Sequence, residues 1–232
     1  MKKSIILKLE KVSKSYQMDG LVIKAASDVD LTIHEGELIA LTGPSGSGKS
    51  TLLQVMGLLD KHTQGKLFFL GKETSQYNEE ELAHLRNKYI GFVFQQFNLL
   101  ANTSALDNVL LPAIYNHEAN LKEMQIKATK LLTNLGLGDR LANYPNQLSG
   151  GQQQRVAMAR SLINNPKIIF ADEPTGNLDT KSGKEVVKIL KDLNKEGKTV
   201  VIVTHDMYLA DIADRQIHML DGLVVKDGKW EF

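Results

Sequence analysis

Nine consecutive residues, Gly43-Pro44-Ser45-Gly46-Ser47-Gly48-Lys49-Ser50-Thr51, constrain this chain more than any others. The apolar run Glu37 to Thr42 precedes them and reads as a strand, while Lys49 to Leu59 has helical character and ends near Gly57 to Asp60. Strand, glycine loop and helix in that order meet the context test for the pattern G-x-x-x-x-G-K-[ST]. Glycines let backbone N–H groups converge on phosphate oxygens, and the helix N-terminus adds its partial positive charge. In such a loop Lys49 contacts the β- and γ-phosphates of a nucleoside triphosphate and Ser50 ligates Mg²⁺. A glycine-rich turn with no ligand is the bland alternative, and the complete motif in its context disfavours it.

The elements around the loop follow from patterning. Asp28 to Ile33 alternates polar and apolar, the turn-like His34-Glu35-Gly36 follows, and Leu67 to Leu70 and Ile90 to Phe94 read as further strands. Asn78 ahead of Glu79, Glu80 and Glu81 marks a capped helix start. From Ser104 to Leu162 strand signals nearly vanish: Asn120 with Glu123 makes a capping-box pattern, Leu121, Met124, Ala128, Leu131, Leu132 and Leu135 recur at helical spacing, and Gly136 stops it. That stretch is read as a helical insertion. Lys167 to Ala171 and Thr199 to Thr204 then read as buried strands, Ser182 to Lys195 and Asp206 to Ala213 as helices, and Arg215 to Leu220 with Leu223 to Lys226 as a hairpin turned at Asp221-Gly222. Strands alternating with helices point to a doubly wound, mainly parallel sheet behind a β-rich N-terminal region.

A chain of 232 residues fits one domain of this kind. With 28 Lys+Arg against 27 Asp+Glu, no global field draws it to nucleic acid or anionic lipid. The absence of cysteine excludes disulfides and thiolate metal sites. After Met1-Lys2-Lys3 the apolar run Ile5, Ile6, Leu7 is too short for a signal-peptide core, and no run approaches the roughly 20 apolar residues of a membrane helix. Direct membrane insertion is therefore not expected, and membrane association would come through a partner. His34, His62, His84, His117 and His218 lack metal-site spacing and read as surface or turn residues, and the Lys2-Lys3 pair as solvated charge.

Two more segments carry chemistry. Ile168 to Ala171 ends in Asp172 and Glu173, where a P-loop nucleotidase needs one carboxylate for the Mg²⁺ shell, here Asp172, and one group to polarise the attacking water, here Glu173. Two solvated acids at a strand end are the alternative; ligand sites of parallel sheets lie at such ends. In Leu148-Ser149-Gly150-Gly151-Gln152, Ser149 with Gln152 is a capping box, and Gly150-Gly151 leave the helix N-terminus bare, a second phosphate-binding surface. On its own that segment also reads as an ordinary capped helix. Gln153 and Gln154 behind it receive no role, with Gln153 placed toward solvent.

Together these residues resemble the ATP-binding-cassette (ABC) ATPases, in the family's motif order and over essentially the whole chain. Leu148 to Gln152 is similar to the family signature, Gln95 to the Q-loop glutamine, Asn177-Leu178-Asp179 to the D-loop and His205 to the switch histidine; Tyr16 resembles the aromatic residue that stacks on adenine. The resemblance implies a P-loop NTPase α/β fold with a mainly parallel sheet core, an N-terminal antiparallel β subdomain and an inserted α-helical subdomain. Residues 1–95 and 163–232 would form the nucleotide-binding core and residues 96–162 the helical subdomain. It further implies ATP and Mg²⁺ as ligands and a homodimer that sandwiches two ATP molecules. In that sandwich Ser149, Gly150, Gly151 and Gln152 of one copy face the γ-phosphate on the other. His205 would stabilise that phosphate's charge, and Gln95 would sense Mg²⁺ and couple the site to a membrane partner.

Gly91 to Leu100, Asn108-Val109, Leu111-Pro112 and Ala171 to Asp179 resemble the macrolide-export and lipoprotein-release type within that family. The expectation is the ATPase of a membrane complex, working with a separate transmembrane permease and sitting in the cytoplasm against the inner face of the cell membrane. An FtsE-like cell-division ATPase that signals without transport is a second reading. A soluble ABC protein acting on nucleic acid or ribosomes is a third, disfavoured by the single cassette and the lack of a basic block.

Overall fold

In the computed structural model residues 3–18, 20–116 and 119–228 are described; the readings placed on Lys2 and His117 fall outside them. In chain order the elements are β1 (Ile5–Met18), β2 (Leu21–His34), β3 (Leu38–Thr42), α1 (Lys49–Met56), β4 (Gln64–Phe69), β5 (Lys72–Glu73), α2 (Glu79–Tyr89) and β6 (Ile90–Phe94). There follow α3 (Ala105–Ile114), α4 (Leu121–Asn134), α5 (Gly150–Leu162), β7 (Ile168–Asp172), α6 (Thr180–Lys195), β8 (Thr199–Val203), α7 (Met207–Asp211), β9 (Arg215–Leu220) and β10 (Leu223–Gly228). The chain divides into two units, Met1–Ala83 with Leu193–Phe232, and His84–Asp192.

The first unit holds two strand sets. β3 and β8 are buried at every position, the pattern of strands covered on both faces. β3 lies parallel to both β8 and β9, and β10 returns antiparallel to β9. The β9–β10 turn has positive φ at both Asp221 (48°) and Gly222 (79°), as a two-residue I′ turn requires. The other set is antiparallel, in the order β2-β1-β4-β5. β1 is fourteen residues long and runs far past its leading apolar run Ile5, Ile6, Leu7. Its alternation is broken by a register shift between Leu9 and Val12, with Lys11 at φ 47°, so charged Lys8, Glu10 and Lys11 sit among buried Leu7, Leu9 and Val12. β2 likewise begins seven residues before the alternating stretch from Asp28.

In the second unit β6 and β7 pair in parallel from Ile90 opposite Ile168 to Phe94 opposite Asp172, with Phe92 and Phe170 stacked at 5.8 Å. The helices α3, α4 and α5 close on a core that includes Val109, Leu132, Leu148, Val156 and Ala159. α4 stops before Gly136, at φ 72°. Its start departs from the full capping box: Asn120 accepts the N–H of Lys122 at 3.1 Å, and its side-chain amide, not its backbone N–H, donates to Glu123 at 3.3 Å. The cap therefore closes one residue earlier than the spacing suggests. Asn78 does form the reciprocal pair with Glu81, at 2.9 and 2.8 Å.

Asn108 on α3 is fully buried, and its amide organises the turn ahead of the helix. It accepts the Leu100 N–H at 2.9 Å and donates to the carbonyls of Leu100, Thr103 and Ser104 at 3.2, 2.9 and 3.0 Å. Replacement by alanine would strand several of these buried groups. Asn108→Ala is expected to cost about 1–3 kcal/mol of stability, the usual penalty for a buried group left unpaired, measured by urea unfolding. An unchanged midpoint would mean that water replaces the amide there.

Candidate functional site

The loop after β3 is shaped by what lies against it. Gly43 (φ 141°) and Gly48 (φ 97°) both take backbone angles that side-chain-bearing residues avoid. A Cβ on Gly43 would lie 2.2 Å from the Met219 carbonyl oxygen, and one on Gly48 1.9 Å from that of Ala25. The Gly222 N–H of the terminal hairpin donates to the Ser47 carbonyl at 3.1 Å, and the Gly222 carbonyl accepts from Ser27 at 2.8 Å, so the hairpin turn braces the loop. Gly48 caps α1 without a side-chain hydrogen bond, and no acid stands in the first turn. That leaves the helix N-terminus electropositive and uncapped, the arrangement that receives phosphate.

Side chains in the loop fit an anionic ligand. Buried Lys49 donates to the Pro44 carbonyl at 2.8 Å, which holds its ammonium inside the loop. The Ser47 hydroxyl is buried with no hydrogen-bond partner, so the loop's polar groups are not all satisfied by the protein itself. Pro44, Ser45, Gly46 and Ser50 are exposed and Thr51 is half-buried.

Two further expected residues share this unit. The hydroxyl of Tyr16 donates to Asp60 at 2.9 Å, and Lys14, paired with Asp60 at 2.7 Å, places its ammonium 4.8 Å from the ring centroid. Burial and then the Asp60 hydrogen bond push the Tyr16 phenol above its ordinary value, against a lowering by the Thr51 hydroxyl at the loop's end. Burial pushes Asp60 upward, but the hydrogen bonds from Lys14 and Tyr16 prevail and hold it below the usual carboxylate value. His205 is exposed just beyond β8 and lines a cavity of about 180 Å³ with Thr42, Gly43, Asp206, Gln216 and His218. His218 thus differs from its reading as a surface or turn residue: it lies in β9, half-buried, its Nδ1 3.1 Å from the Thr42 hydroxyl at the loop's entrance.

The second unit carries Gln95, the signature and the acids. At the start of α5 the Ser149 hydroxyl accepts the Gln152 N–H at 3.3 Å, and the Gln152 side chain accepts the Ser149 N–H at 2.9 Å, the reciprocal box expected from the spacing. Gly151 is required by packing: a Cβ there would lie 2.4 Å from the Ser182 hydroxyl. Asp172 ends β7 half-buried, and Glu173 follows at φ 45°. That conformation costs a non-glycine residue about 1–3 kcal/mol and is characteristic of functional sites. Exposed Gln95 is laced to Asn177, whose amide donates to the Gln95 carbonyl at 3.0 Å and accepts from its side chain at 3.4 Å. Asp179 is engaged as the cap of α6, accepting from the Lys181 and Ser182 N–H groups and, at 2.7 Å, from the Ser182 hydroxyl. Those bonds, the hydroxyl first, hold its carboxyl below the ordinary value.

Two glutamines given no role have one structurally. Gln153 does not simply face solvent: its amide donates to the carbonyls of Pro145 and Leu148 at 3.0 and 3.1 Å, tying α5 to the turn before it. Gln154 is fully buried, and its amide donates at 2.7 Å to the carbonyl of Pro174, next to Glu173. Three successive glutamines conceal this, although helical spacing puts Gln154 on the same face as Gly151 and Met158, both buried.

The comparisons agree with this geometry. The ABC transporter family profile matches residues 26–176. An uncharacterized ABC transporter ATP-binding protein, MJ0796, of Methanocaldococcus jannaschii is 48% identical over 228 residues, covering 97% of each chain. The macrolide export ATP-binding/permease protein MacB of Chlorobaculum tepidum is 49% identical over 97% of this chain, which spans only 34% of that relative's length. The dimeric structure of the MJ0796 cassette superposes with a TM-score of 0.90 at 47% identity over 98% of this chain and 100% of its own; a post-hydrolysis form bound to ADP and Pi gives 0.88 at 45%, with the same coverage. Gly48→Ala, which forces a Cβ onto the Ala25 carbonyl, is expected to weaken ATP binding at least about tenfold in titrations with a fluorescent analogue, and unchanged affinity would contradict this reading of the loop. With a phosphate cradle of this build and relatives of this likeness along nearly its full length, the chain belongs to the ABC transporter family as an ATP-binding cassette, and it is an ATPase.

Proposed function

We propose that this cassette powers a membrane complex: two copies close on two ATP molecules, and closure drives export, extrusion or lipoprotein release by a separate transmembrane permease. The observation that carries the reading is the Ser149–Gln152 cap, which presents an N-terminus of α5 with two glycines in its first turn on a chain that already has a complete phosphate loop. One nucleotide needs only one such loop, so the second surface is assigned to ATP on the other copy. The dimeric form of the M. jannaschii relative and the macrolide-export naming of the longer relatives support this assignment. Among the described residues no helix is long and apolar enough to cross a membrane. In this reading the cassette sits at the inner face of the cell membrane, held by its permease, as the macrolide-export naming of the longer relatives suggests. Residues 1–95 with 163–232 act as the nucleotide-binding core and 96–162 as the helical part that meets the permease.

Within this scheme Gly43 to Thr51 cradle the phosphates, Lys49 neutralises the β- and γ-oxygens and Tyr16 stacks on the base. The hydroxyl of Ser50 and the carboxylate of Asp172, with Gln95, are hard oxygen donors of the kind Mg²⁺ takes. When bound, that ion supplies charge neutralisation between the phosphates. Glu173 orients and deprotonates the attacking water, His205 holds the γ-phosphate, and Asp179 belongs to the nucleotide-binding set. Glu173→Gln is expected to keep ATP binding, slow turnover at least about 100-fold and accumulate an ATP-bound pair of chains in gel filtration. A variant that stays monomeric under saturating ATP would contradict the composite site.

A further inference from the structure

The segment beyond Gln95 adopts a backbone that its side chains do not favour. Phe97 (φ 57°) and Asn98 (φ 50°) lie consecutively in the left-handed region, which strains phenylalanine most and asparagine less, and which glycine alone takes freely. Something must hold them there. In the last turn of α5, Arg160 donates through Nη2 to the Phe97 carbonyl at 2.7 Å and through Nη1 to the Asn98 carbonyl at 2.5 Å. A planar guanidinium can reach two adjacent carbonyls at once; an ammonium cannot match that fork.

This arginine is otherwise unemployed. None of the ion pairs among the described residues involves it, and burial, with no offsetting carboxylate, pushes its guanidinium below its ordinary value. A half-buried cation with only carbonyl partners is a costly way to close a loop unless the loop's shape matters. The shape reaches the signature: the Phe97 ring lies 3.7 Å from where a Cβ on Gly150 would stand. Phe97 is thus gripped at its carbonyl from the last turn of α5, while its ring stands over the Gly150 position in the first turn.

We propose that Arg160 is a positioning residue for ATP hydrolysis, fixing the strained Phe97-Asn98 backbone so that the Gln95 segment and the Ser149–Gly151 surface move as one body. This rests on the reading in which that surface and Gln95 serve ATP. Arg160 acts through the Phe97 and Asn98 carbonyls that it grips. It sets where Gln95 stands relative to the signature, so that ATP engaged by one is sensed at the other.

The test compares steady-state ATP hydrolysis, binding of a fluorescent ATP analogue and thermal midpoint for Arg160→Lys, Asn98→Gly, the double variant and Ser149→Arg. Arg160→Lys is expected to lower kcat about tenfold with analogue binding within about twofold. Asn98→Gly alone should leave kcat within about twofold, and added to Arg160→Lys should restore about threefold, because glycine takes a positive φ without a brace. A wild-type kcat for Arg160→Lys overturns the proposal. So does a loss that follows the thermal midpoint and is not restored by Asn98→Gly, since that is plain destabilisation. Ser149→Arg separates the layers: if it is inactive while Arg160→Lys is normal, only the role of Arg160 falls, and if it hydrolyses ATP normally, the signature reading and the proposal fall together.

Discussion

Between β3 and α1 the backbone must pass under the carbonyl oxygens of Met219 and Ala25 at distances no Cβ could occupy. Most of the first unit can be understood as the frame for that passage. Fully buried β3 delivers the chain to it, β9 and the hairpin turn at Asp221-Gly222 supply the roof and a brace on Ser47, and β2 supplies the other wall at Ala25 and Ser27. The result is an uncapped helix start, a lysine folded inward and an unpaired buried hydroxyl, each unfavourable in an ordinary loop and each favourable once an anion is present.

The second unit is organised around α5. Its N-terminus is set by the Ser149–Gln152 box and by the closeness of Ser182 to Gly151, its middle by Gln154 on the Pro174 carbonyl, and its C-terminus by Arg160 on the backbone beyond Gln95. One helix thereby contacts the segment after Glu173, the start of α6 and the segment after Gln95. The N-terminus of α5 is thus joined by contiguous contacts to the acids and the glutamine of other loops. The left-handed Glu173 and the left-handed Phe97-Asn98 pair are strained points of that unit, and α5 side chains bond the backbone at or beside each, Gln154 at Pro174 and Arg160 at Phe97 and Asn98.

Much of this was legible in the sequence because the relevant signals are local. The loop glycines, the Ser149 box, the stop at Gly136 and the Asp221-Gly222 turn each depend on a few neighbouring residues, and each stands where the spacing put it. What was hidden depends on partners distant in the chain. β1 lost its alternation to a bulge that its pairing with β2 and β4 brings out, and His218 reads as a surface residue until β9 is placed beside β3. Gln154 receives no role from the sequence and no local signal marks Arg160; their roles appear only when Pro174, Phe97 and Asn98 are brought against them. The incomplete box at Asn120 is the reverse case, a correct local pattern closed by a slightly different set of bonds.

In the proposed reading one chain holds two half-sites, which become a hydrolytic site only across copies. Mixing two inactive variants tests it most directly. In a pair made from Ser149→Arg and Glu173→Gln chains, one composite site keeps both an intact signature and an intact Glu173, while the other loses both. The mixture should hydrolyse ATP well above the sum of the two variants measured separately. A mixture no more active than that sum, under conditions where the chains are shown to associate, would contradict it.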